Sequence, residues 1–175
     1  MLSQDLISFP NVEQVPDFAM AFTRMMFAHA DFEEQVREMR TAILKTRSRY
    51  ARRGKNSGLG TARDRPGRME KLISDRPGLV EKQEALRIRQ TLVDAIDPCD
   101  QRNLLAHGRW WRFVVATSTI KIRGERKGEP AEAGFTVPDI LAIAEKLKTL
   151  AIDLERVRSD IERRRGDDDV PDDQP

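Results

Sequence analysis

Apolar side chains recur between residues 18 and 43 in alternating steps of four and three, at Phe18, Phe22, Met25, Phe32, Val36, Met39 and Ile43, with His29 holding one place in the series. Residues so spaced line one face of an α-helix, so the pattern predicts a long helix from about Pro16 to Tyr50 with a single buried seam. His29 lies inside that seam and reads as a core histidine. Glu33, one turn later on its shoulder, reads as an exposed carboxylate, with a cation on a neighbouring element as the alternative. Gly54, Gly58, Gly60, Pro66 and Gly67 then interrupt any helix and predict a flexible basic loop over residues 52–67. The apolar group Met69, Leu72 and Ile73 predicts a brief helical turn before Pro77-Gly78. From Leu79 a second long helix carries Ala85, Ile88, Leu92 and Ala95 on one face.

Asp97-Pro98 marks a further helix start, because aspartate caps free backbone N–H groups and proline fits the first turn. That helix reaches His107 and ends at Gly108; a kink at Pro98 in one continuous helix is the alternative. The pattern then changes. Residues 110 to 120 are rich in aromatic and β-branched side chains that suit a pleated ribbon. Gly124, Gly128 and Pro130 supply a turn, and Ala131 to Phe135 return as a partner strand. Thr136 and Asp139 form a capping-box-like start for a last helix, whose Ile140, Ile143, Leu147, Leu150, Leu154, Val157 and Ile161 hold a heptad spacing. The expected fold is therefore all-α: a bundle of about four to five helices with a small β-hairpin appended. It occupies residues 16–165, after an N-terminal extension (1–15) and before an acidic disordered tail (166–175).

Composition narrows the function classes. A chain of 175 residues, 39% hydrophobic and 34% charged, suits one helix-rich domain with a real core. No run approaches the roughly 20 apolar residues that span a bilayer, so no membrane role is expected. A single cysteine and the lack of a secretory pattern in the first 20 residues point to a reducing, cytoplasmic setting. Two separated histidines and one cysteine offer no zinc-type ligand set, so neither metal nor other cofactor is expected. The net charge is only +2, yet residues 37–71 hold twelve basic and three acidic side chains. Arg47, Arg49, Arg52 and Arg53 in that stretch are the candidates for contact with a phosphate backbone.

The chemistry concentrates at Arg102-Asn103-Leu104-Leu105-Ala106-His107-Gly108, followed by Arg109, Trp110 and Trp111. Arginine holds phosphate in a planar fork and stays charged, while histidine exchanges protons near neutral pH. Asn103 and His107 share a helical face, and Arg102, about 140° round from His107, reaches them with its long side chain. An Arg-x4-His pair alone is a common coincidence in a chain with 23 arginines; the extended form with Asn103 and Gly108 is more specific.

Through Arg102, Asn103 and His107 the chain resembles the HEPN domains of prokaryotic defence and RNA-processing proteins. The layout is similar over residues 17 to 165, with Asp31-Phe32-Glu33 in the first helix and the motif late in the middle. The resemblance implies a helical bundle that dimerises to bring two motifs to one cleft, and often a metal-independent ribonuclease. One toxin branch carries a modifiable tyrosine three residues after the histidine. This chain has Trp110 there, so that control is not implied.

Three interpretations follow. In the first, the chain is a metal-independent endoribonuclease, a component of a defence or toxin–antitoxin system with an antitoxin or effector as partner. The RNA 2′-hydroxyl attacks the adjacent phosphorus, His107 moves protons, Arg102 stabilises developing charge and Asn103 orients His107 or donates to phosphate. Glu33 and Trp110 support the site, at most one of Trp110 and Trp111 faces it as a base-stacking platform while the other packs elsewhere, and a homodimer supplies the second histidine. In the second, the same polar cluster belongs to an inactive module that binds RNA or a protein. In the third, Arg102 to Gly108 is only a helix ending, with Gly108 turning left-handed and His107 at the negative end of the dipole.

Overall fold

The computed structural model describes residues 16–44, 60–75, 78, 80–114, 117–126 and 129–168. These form five helices and one sheet in the order α1 (Pro16–Leu44), α2 (Arg65–Ser74), α3 (Lys82–Asp94), α4 (Ile96–His107), β1 (Arg109–Val114), β2 (Thr119–Arg126), β3 (Glu129–Phe135) and α5 (Val137–Asp168). The protein is thus mostly helical with a small antiparallel sheet, and two compact units are distinguishable. The first comprises residues up to 31 with 97–148, the second residues 32–96 with those from 149 onward.

The two long seams are buried as their spacing requires. Phe18, Met25, Phe32, Val36, Met39 and Ile43 of α1 are buried, as are all seven heptad positions of α5 from Ile140 to Ile161. The α5 start is a capping box: Asp139 Oδ2 accepts from the Thr136 amide at 2.8 Å and its hydroxyl at 2.7 Å, and the Asp139 amide donates back to Thr136 Oγ1. The same hydrogen bonds, the hydroxyl's first, hold the Asp139 carboxyl below its ordinary pKa. The helix continues through Gly166, Asp167 and Asp168, past the expected boundary at 165.

In the second unit, four helical segments are laced by ion pairs. Arg65 of α2 reaches Glu33 of α1 at 2.6 Å, and Arg89 of α3 reaches Glu70 of α2 at 3.2 Å. Arg164 of α5 binds Glu84 and Glu81 at the start of α3, and Arg158 of α5 lies 4.0 Å from Glu38 of α1. Taken in turn, α1–α2, α2–α3, α3–α5 and α5–α1 close a circuit. Most of these groups are half-exposed, where each pair contributes only about 0–1 kcal/mol, so burial of the seams supplies the main stability. Arg65 and Glu84 differ, because both side chains are largely buried, and Glu84 also accepts from the Glu81 amide at 2.9 Å, capping α3.

Part of the expected 52–67 loop is structured. Thr61–Asp64 form a turn, with the Asp64 carboxylate accepting from the Thr61 amide and hydroxyl, and α2 begins at Arg65. Pro66 does not break the helix because it sits in the first turn, where its missing N–H leaves no intrahelical bond unmade. The brief turn expected at Met69 is this ten-residue helix. Arg47, Arg49, Arg52 and Arg53 lie outside the described residues, as do the first 15 residues, the end of the expected first helix (45–50) and the tail from 169.

The first unit holds the sheet, and it differs from a hairpin. The expected ribbon over residues 110–120 is divided between β1 and β2, and β3 completes a meander of order β1-β2-β3. β1 pairs Trp110 with Ile122 and Arg112 with Lys121, so Trp111 is an extra residue, a β-bulge. Without it Trp110 and Phe113, three apart, would face opposite ways. With it both face α1: Trp110 packs edge-on to Phe22 at 5.6 Å between ring centroids and Phe113 edge-on to Phe18 at 5.8 Å. Phe18 and Phe22 are one helical turn apart, which matches the bulged spacing of the two partners.

Candidate functional site

The motif lies on the last two turns of α4. The helix begins at Ile96, so Asp97 and Pro98 occupy its first turn, and Ala95 separates it from α3. Leu104 and Leu105 are buried and anchor the helix, leaving Asn103 and His107 exposed and Arg102 half-buried. Arg102 Nη1 donates to Asn103 Oδ1 at 2.9 Å, while Arg102 Nε is buried with no partner. The guanidinium is thus rooted in the protein and its outer nitrogens lie at the surface beside Asn103. The His107 imidazole makes no hydrogen bond to the described residues.

Gly108 ends α4, though by a different means from the left-handed turn the sequence suggested. Among the described residues only Gly60, Gly78 and Ser118 have positive φ. Gly108 is required by crowding: a Cβ there would lie 2.4 Å from the Leu104 carbonyl oxygen, 2.5 Å from Ile122 Cγ2 and 3.1 Å from the Arg123 carbonyl oxygen. On β2, a Cβ on Gly124 would lie 2.6 Å from Leu104 Cδ1 and 3.2 Å from Gly108 Cα. Two glycines therefore let the end of α4 sit directly on the strand. His107 is fixed at the end of the sheet where β1 begins.

Trp110 is half-buried, packed on Phe22, and its indole N–H donates to the Leu105 carbonyl at 2.7 Å. It braces the motif helix from below. Trp111 has its backbone in β1, and its side chain is outside the described set. In the second unit Glu33 is engaged by Arg65 Nη2 at 2.6 and 2.8 Å, so it is the paired carboxylate of the two alternatives and not the exposed one. His29 is half-buried, and one of its ring nitrogens lies within 4.8 Å of the buried Cys99 thiol, both in the first unit.

The last two turns of α4 thus present a hydrogen-bonded guanidinium–carboxamide pair, Arg102 and Asn103, and an exposed imidazole, His107. The bulge at Trp111, which orients the strand beside them, was not legible as such in the sequence; two aromatic residues three apart in a strand were its only trace. Comparisons with protein-family models, with curated proteins and with solved structures gave no match. No described helix is long and apolar enough to cross a membrane.

Proposed function

We propose that this chain is a metal-independent endoribonuclease of HEPN type, with the helical bundle that class implies and a role in defence or as a toxin restrained by a partner. The supporting observation is the exposure of Asn103 and His107 at the end of α4 with the Arg102 guanidinium hydrogen-bonded to Asn103 between root and surface. In this mechanism the RNA supplies its own nucleophile. The 2′-oxygen attacks the adjacent phosphorus, its proton passes to an imidazole, and the 5′-oxygen leaves with a proton from a second imidazole, giving a 2′,3′-cyclic phosphate. Arg102 stabilises the charge that builds on the phosphoryl oxygens. One exposed His107 is half of the acid–base pair, so a symmetric dimer supplies the other.

The test is purified chain against labelled RNA, with a 2′-deoxy control and chelator present. Cleavage in chelator, absent on the deoxy strand and lost in His107→Ala with helix content unchanged, is the expected result. Equal cleavage by His107→Ala, or none by a confirmed dimer across varied RNAs, would sink the proposal. In the second case the absence of an orienting partner on His107 favours an inactive module that binds RNA or a protein through the same surface.

A further inference from the structure

The register of the sheet sorts its side chains onto two faces. Trp110, Phe113, Ile120, Ile122 and Phe135 face inward, in line with their burial and ring contacts. The outer face carries Arg109 opposite Arg123 in one row and Arg112 opposite Lys121 in the next. Directly opposed side chains have Cβ atoms about 4.5–5.5 Å apart, where like charges are destabilising. Two such rows side by side are an arrangement the fold does not need for its own stability.

Three details show the patch is organised. The bulge at Trp111 puts Arg109 and Arg112, three apart, on the same face; a regular strand would turn Arg112 inward. Gly134, opposite Lys121, leaves room for its stem: a Cβ there would lie 2.9 Å from Lys121 Nζ and 3.3 Å from its Cδ. The lysine therefore lies flat across the sheet. Arg112 Nε is buried without a partner, so this guanidinium too is rooted in the protein. Glu132 compensates Arg123 at 2.9 Å, and Glu125 lies further along β2, beyond the rows that β1 pairs. Among the described residues Arg109, Arg112 and Lys121 have no ion pair. The first row is two residues from His107, at the end of the sheet on which Gly108 rests.

We propose that the outer face of the β1-β2 ribbon is the docking surface for the phosphate backbone of a single-stranded RNA, with Arg109, Arg112 and Lys121 as its contacts. The inference deepens the ribonuclease proposal by stating where the strand lies as it leaves the motif. Rows two residues apart along β2 are about 7 Å apart, a spacing suited to successive phosphates of an extended strand. Contacts of this kind hold the strand in place without reading bases.

The experiment measures binding of a fluorescein-labelled oligouridine to the full chain carrying His107→Ala, so that cleavage does not intrude, over a series of salt concentrations. Substituting Arg109→Gln, Arg112→Gln and Lys121→Gln together should weaken binding at least tenfold. It should also reduce the slope of log affinity against log salt by about 2, at about 0.7 for each phosphate of a single strand that is no longer neutralised. Arg109→Lys with Arg112→Lys should retain most of that slope. On the unsubstituted surface, bound RNA should protect Lys121 from amine acylation read by mass spectrometry, a readout that needs no variant to fold. Unchanged affinity and slope in the triple variant, an unprotected Lys121, or absence of RNA binding at low salt would each overturn the proposal. So would binding to phosphatidylserine vesicles in place of RNA. A chain that binds RNA through this face yet never cuts it would refute the ribonuclease proposal and leave the docking surface standing.

Discussion

The indole N–H of Trp110 donates to the main-chain carbonyl of Leu105 at 2.7 Å. Leu105 is in the last turn of α4, where carbonyls have run out of helical N–H partners. A side chain from the strand that follows therefore caps the helix that carries the motif. The bond couples the direction of α4 to the packing of β1 on Phe22.

Trp110→Phe should keep the aromatic contact and lose only the donor. We expect a loss of about 1 kcal/mol in urea denaturation, the net value of one such bond, with helix content unchanged. Trp110→Ala should cost more, because the packing on Phe22 goes as well. Equal stability of the parent and the phenylalanine variant would show the bond to be without weight.

Two glycines should respond in opposite senses to alanine. Gly108→Ala drives a methyl into the Leu104 carbonyl and Ile122, and we expect about 1–3 kcal/mol of destabilisation. A Cβ on Gly67, inside α2, would have nothing within 4 Å, so Gly67→Ala should stabilise by about 0.5–1 kcal/mol. Thermal melts of the two variants decide both.

The cap of α5 carries a pH signature. Thr136 holds the Asp139 carboxyl below its ordinary pKa, so the folded state favours the ionised form. That contribution is fully present above the ordinary carboxylate value of about 3.9 and is lost as pH falls through the lowered folded value. Asp139→Asn should accordingly be less stable than the parent at pH 7 and approach it in strong acid. Thr136→Ala should cost about 0.5–2 kcal/mol at neutral pH. A stability difference for Asp139→Asn that is constant with pH would exclude the linkage.

At the motif, Arg102→Lys keeps the charge and loses the fork that reaches Asn103. If the chain cleaves RNA as proposed, this change should lower kcat by about 100-fold or more, the usual loss when one preorganised donor at a developing oxyanion is removed. Circular dichroism should be unaltered. A lysine variant of full activity would remove Arg102 from the chemistry.

The helices were legible because a seam repeats many times: eight positions of α1 and seven of α5 vote for one face each. Shorter elements are less legible, because a single residue carries the decision. Pro66 and Gly67 read as breakers, yet the first turn of α2 accommodates both, and Arg65 beside them is drawn in by Glu33. The start of α3 rests on Glu81 and Glu84, a capping pair without the usual hydroxyl. Arg102, Asn103 and His107 were visible as residue types, whereas their exposure depends on Leu104 and Leu105 being the anchors. The cationic rows of the sheet are hidden in the sequence for a different reason. Arg109, Arg112, Lys121 and Arg123 are dispersed along the chain, and only the strand register with its bulge gathers them.

The bulge has a consequence for how this strand tolerates change. Because the ladder passes directly from Trp110 to Arg112, loss of the Trp111 codon would leave a regular strand with each remaining side chain on its present face. An added codon between Arg112 and Val114 has no such refuge: it would turn the outer arginine or the inner phenylalanine to the wrong side. In a regular strand a one-residue deletion and a one-residue insertion both turn the side chains beyond them to the other face. Here the two are unequal.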